Sequence, residues 1–108
     1  MTTNVVELNE SNFEHEVLWA PNPVLVHFWA GWSGPCKAMT PVLESIAEHD
    51  SVPVTVATVD VENHEDLAER YGVRAVPTVL IFSRGGLQDQ IIGRATEQHV
   101  RQRLELLR

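Results

Sequence analysis

The hydrophobic positions of this chain change their spacing from segment to segment, and the spacing sets out a fold. Val24-Leu25-Val26-His27-Phe28-Trp29 is almost wholly apolar. A run this short and this unbroken predicts a strand covered on both faces. Thr78-Val79-Leu80-Ile81-Phe82 predicts a second central strand, and the β-branched stretch 52–59, with Asp60 at its end, predicts a third. Val5-Val6-Glu7-Leu8 is a short first strand, and 87–92 closes a hairpin through the turn Arg84-Gly85-Gly86.

Elsewhere the spacing is helical. Met39, Val42, Leu43 and Ile46 recur at i, i+3, i+4 and i+7 and form one apolar stripe, with Pro41 inside it predicting a kink. A short helix runs to residue 18 with Ser11 as its cap, ahead of the breaker Ala20-Pro21-Asn22-Pro23. Another spans 64–71, capped by Asn63, with Leu67, Ala68 and Tyr71 inward. Thr96 caps the last, whose Val100, Leu104 and Leu107 face the core. The order βαβαβαββα predicts an α/β domain over residues 1–108. Its first part is parallel with helical crossovers and its end is an antiparallel hairpin, giving a mixed sheet with helices on both faces.

Composition narrows the function. The net charge of −7, with Lys37 the single lysine, disfavours nucleic acid, which is bound by basic residues that neutralise phosphates. No apolar stretch reaches the roughly 20 residues of a membrane span, and the N-terminus lacks the basic and apolar regions of a signal peptide. A single cysteine excludes an internal disulfide and agrees with a reducing compartment, so a cytoplasmic location is expected. The histidines show no metal-ligand spacing, and Gly85-Gly86 sits in a hairpin rather than at a phosphate-binding strand-to-helix junction. Neither metal nor cofactor is expected.

The chemistry concentrates around Trp29-Ala30-Gly31-Trp32-Ser33-Gly34-Pro35-Cys36-Lys37, which reads as a dithiol redox loop with a serine in the place of its first thiol. Together with Phe28-Trp29-Ala30, Pro41, Asp60-Val61-Glu62, Tyr71-Gly72-Val73, Val76-Pro77-Thr78, the Gly85-Gly86 turn and Gly93, it resembles the thioredoxin family over nearly the whole chain. The resemblance implies a five-stranded mixed sheet with four helices, a cis peptide before Pro77 and protein-disulfide reductase chemistry. It also implies a groove for extended protein or peptide clients around Trp32, Gly34, Pro35, Val76, Pro77 and Gly93. By the same resemblance Ser33 stands at the attacking cysteine and Cys36 at the resolving one. His27 stands at a buried acid, and Thr58 at a lysine beside that acid.

Several readings stay open. Ser33 is a silenced nucleophile, since an alcohol does not exchange with disulfides, and also a natural helix N-cap; whether it arose naturally or by a laboratory exchange the residue does not decide. Cys36 is either a small buried hydrophobe or a lone thiol able to form intermolecular disulfides. His27 is either a neutral core histidine with satisfied hydrogen bonds or a base for Cys36. Three functions follow: a thioredoxin-like protein unable to complete dithiol turnover, a redox-inactive binding or chaperone-like module, and a monothiol enzyme using Cys36 with His27. A monomer is expected.

Overall fold

A computed structural model describes residues 5–49 and 53–107. Five strands, β1 (Val5–Glu7), β2 (Val24–Trp29), β3 (Thr55–Asp60), β4 (Thr78–Ser83) and β5 (Gly86–Ile92), form one sheet in the order β1-β3-β2-β4-β5. β3 pairs in parallel with β1 and β2, while β4 is antiparallel to β2 and β5. The helices are one wide turn, Glu14–Leu18, then α1 (Gly34–His49), α2 (Glu65–Arg70) and α3 (Glu97–Glu105). This is the mixed sheet anticipated from the apolar runs. β3 starts later than expected, at Thr55, and Val52 lies outside the described residues.

Alternation along β2 divides its side chains between two cores. Val24, Val26 and Phe28 pack with Phe13, Val17, Leu67 and Phe82 on one face. Leu25 packs with Met39, Leu43, Ile46, Val100 and Leu104 on the other. The first core is stitched by aromatic contacts: Phe13 stacks on Tyr71 with centroids 5.1 Å apart and meets Phe82 edge-on at 5.8 Å. The second receives the apolar stripe of α1, which runs unbroken through Pro41. Leu107 lies beyond the end of α3 and packs at the margin of this core.

Two of the four expected caps, Ser11 and Asn63, are not used. Asn9, not Ser11, organises the start of the first helical turn: its Oδ1 accepts the N–H groups of Ser11 and Asn12 at 2.8 and 3.0 Å. The Asn12 side chain accepts the Asn9 N–H in return, at 2.8 Å. Asn63 does not cap α2, whose N-cap position is His64. Asn63 instead donates from Nδ2 to the Asp60 carboxylate, which also accepts the Glu62 N–H. Asn9 and Asp60 instead bond donors within their own loops, as short polar side chains do. Thr96 does cap α3, accepting the His99 N–H at 3.1 Å.

The hairpin between β4 and β5 turns through Arg84 and Gly85, both with positive φ (56° and 81°). Paired left-handed residues match the twist of the flanking strands, and glycine supplies the second of them without strain.

Candidate functional site

The site is assembled where β2 ends, α1 begins and the loop before β4 arrives. Ser33 precedes α1 and its Oγ accepts the Cys36 N–H at 3.3 Å, so the serine does act as the N-cap. The Ser33 carbonyl accepts the first helical bond, from the Lys37 N–H. Gly34 and Pro35 form the exposed first turn, where proline's missing N–H leaves no helical bond unmade. Ser33 and Cys36 are both covered, at 4% and 2% exposure, and Cys36 is a free thiol.

His27 lies on the α1 side of β2 and is 2% exposed. Its Nε2 is buried with no hydrogen-bond partner among the described residues, which corrects the expectation of a fully satisfied core histidine. Burial disfavours the charged imidazolium and pulls the pKa of His27 down to about 4. At neutral pH the ring is therefore uncharged. An imidazole this weakly basic is a poor acceptor for a thiol proton.

Behind Cys36 opens a hollow of about 330 Å³, lined by residues that include His27, Trp29, Thr58, Lys37, Glu7 and Glu44. Thr58 is the register partner of both Glu7 and His27, so the sheet itself sets these three side by side. Trp29, at the end of β2, is partly buried and forms part of this wall.

On the other side of the loop, Trp32 stands out at 72% exposure. It borders a groove of about 420 Å³ with Val61, Val73, Arg74, Ala75 and Val76. The Val76–Pro77 peptide is cis. Thr78 Oγ1 donates to the Ala75 carbonyl at 2.7 Å and pins the loop. Among the described residues nothing hydrogen-bonds the backbone N–H or carbonyl of Val76. Gly93 donates its N–H to the Pro77 carbonyl at 2.8 Å and adopts φ 89°. Glycine is needed there for the backbone itself, and the space a side chain would fill is open. Ile92, 63% exposed, is the neighbouring apolar residue.

The structure thus gathers the sequence-predicted residues into two places on either side of the loop before α1. Trp32, Val76, Pro77 and Gly93 belong with the groove side, and His27 and Thr58 with the hollow. Arg74 of the groove, and Glu7, Thr40 and Glu44 of the hollow, were not singled out from the sequence as site residues, and Val61 and Val73 were noted only within longer motifs. Each looks like an ordinary surface or edge residue until the chain closes. Among the described residues no group of three or more His, Cys, Asp or Glu side chains could hold a metal ion.

Comparison with known proteins bears on the same loop. The family profile described as Thioredoxin matches residues 4–105. The chain belongs to the thioredoxin family. Its relatives include Thioredoxin C-2 of Corynebacterium nephridii, 42% identical over 88% of both chains. The thioredoxin of Pseudomonas aeruginosa is 36% identical over 86% of both, and Thioredoxin 1 of a Nostoc species 36% over 92% of both. The family is one of thiol-disulfide oxidoreductases that act on protein substrates, and the present member carries one cysteine. No helix among its described residues is long and apolar enough to cross a membrane.

Proposed function

We propose that this thioredoxin-family chain does not complete dithiol turnover and instead holds extended segments of client proteins in the groove beside Trp32. The observation that carries this reading is the pairing at the head of α1. Where the attacking thiol would stand, the Ser33 hydroxyl is occupied as a helix cap, and the remaining thiol, Cys36, is covered. Thiol-disulfide exchange needs an accessible thiolate and a second thiol to resolve the mixed disulfide.

The groove supports the binding half of the reading. Trp32 offers a flat apolar contact, and the uncommitted N–H and carbonyl of Val76 can pair with a strand laid alongside. Trp32, Gly34, Pro35, Val76, Pro77 and Gly93 are assigned to client binding. A monothiol mechanism through His27 is less well supported, because a neutral imidazole with a pKa of about 4 does little to generate a thiolate. A monomer working in the cytoplasm fits the acidic charge and the single thiol.

The test is capture of an extended client peptide by the chain and by its Cys36→Ala variant. Equal affinities support the binding module. A loss on removing the thiol would return the chemistry to Cys36 and overturn the proposal.

A further inference from the structure

The groove beside Trp32 carries a charge that client binding through apolar and backbone contacts leaves unused. Trp32, Val61, Val73, Ala75 and Val76 make its walls apolar, and among the described residues that line it Arg74 is the one charged side chain. This reverses the balance of the whole molecule, which has 15 acidic residues against 8 basic ones. Arg101 and Arg103 are paired with Glu97 and Asp89. Arg74 is exposed and has no hydrogen bond or ion pair among the described residues. The carboxylates beside Val61 in sequence are turned elsewhere. Asp60 accepts the Glu62 N–H and the Asn63 amide, and Glu62 Oε1 lies beside Gly31.

A second exposed cation belongs to the same platform. Arg94 follows Gly93, whose N–H donates to the Pro77 carbonyl, and it too has no hydrogen bond or ion pair among the described residues. Arg74 and Arg94 thus sit on the two chain segments that meet at the Val76–Pro77 peptide. A guanidinium offers a planar fork of donors that matches a carboxylate. Range decides whether these local cations or the acidic net charge governs a bound segment. At physiological ionic strength the Debye length is about 8 Å. The molecule measures 32 × 28 × 27 Å, so carboxylates at its far side are largely screened from the groove.

We infer that the groove selects extended protein segments in which an apolar residue is flanked by Asp or Glu. The apolar residue rests against Trp32 and Val73 while the segment's backbone pairs with the free N–H and carbonyl of Val76. One flanking carboxylate accepts from the Arg74 guanidinium and another from Arg94. A segment with lysine or arginine in those places meets like charge instead. This inference rests on the client-binding reading and adds to it the charge class of the client.

The experiment uses three end-blocked peptides that share the core Thr-Val-Thr-Val-Thr and carry two Glu, two Gln or two Lys residues on each side. Binding to the full chain is followed by NMR shift titration at about 0.15 M salt. The Glu peptide is expected to bind about three- to tenfold tighter than the Gln peptide, the range that two exposed ion pairs supply, and the Lys peptide is expected to bind weakest. Arg74→Gln is expected to lower the Glu-over-Gln ratio about twofold or more, and adding Arg94→Gln to bring it to about one. Arg84→Gln makes the same change in net charge at the exposed turn beyond the other end of β4, and is expected to preserve the ratio. Equal affinities for the three peptides overturn the selection and leave the groove reading standing, as do equal effects of Arg74→Gln and Arg84→Gln. If no peptide shifts the Val76 amide signal, the groove reading itself falls and this inference falls with it.

Discussion

The Ser33 hydroxyl and the Cys36 backbone N–H are joined by a 3.3 Å hydrogen bond, which gives Ser33 a helix-capping task. A cap of this kind stabilises a fold by about 1 kcal/mol. Ser33→Ala is therefore expected to lower unfolding stability by about that much, measured by urea titration, while leaving client capture intact.

Ser33→Cys addresses chemistry rather than stability. It places a second thiol at the head of α1, three residues before Cys36. The expected outcome is an internal disulfide with Cys36, seen as loss of a pair of hydrogens by mass, and disulfide reductase activity well above that of the parent chain. Disulfide formation without activity would assign the remaining defect to His27 and Thr58.

His27 predicts a pH dependence. Its folded pKa, about 4, lies below the unfolded value near 6.5 because burial excludes the charged ring. The unfolded chain then binds more protons between these values. The stability from keeping His27 neutral is complete above about pH 6.5 and is lost as pH falls toward 4. The total is about 3 kcal/mol. His27→Phe should flatten this part of the stability profile relative to the parent, as read by urea unfolding between pH 7 and pH 4.5.

Gly93 has φ 89°, where a side chain is strained even though the space around it is open. Gly93→Ala is expected to destabilise the fold by about 1 kcal/mol or more. Its NMR shift changes should centre on Pro77, whose carbonyl accepts the Gly93 N–H.

Phe13 ties the first helical turn to Tyr71 and to β4 through Phe82. It is 1% exposed. Phe13→Ala is expected to cost about 3–5 kcal/mol, since a cavity remains in a core that relaxes only in part. Thermal unfolding should show a correspondingly large fall in Tm.

The strands and helices were legible in the chain because burial leaves a periodic trace. The unbroken run 24–29 and the stripe Met39, Leu43, Ile46 each imply one arrangement, and the structure places them in opposed layers of the same domain. The missing thiol was equally plain, since it is a matter of composition and motif. The side-chain hydrogen bonds of Asn9 and Asp60 were not, because several oxygens in each loop compete for the nearby N–H groups and only the folded loop selects one. The tertiary structure alone decided the state of the two chemical groups. Whether Cys36 is covered, and whether His27 Nε2 finds a partner, depends on how α1 settles over β2. That packing joins residues distant in sequence, such as Glu7, Glu44 and Thr58, around one hollow. A sequence fixes the identity of a thiol and an imidazole, but their acidity and reach are set by the surroundings that folding brings to them.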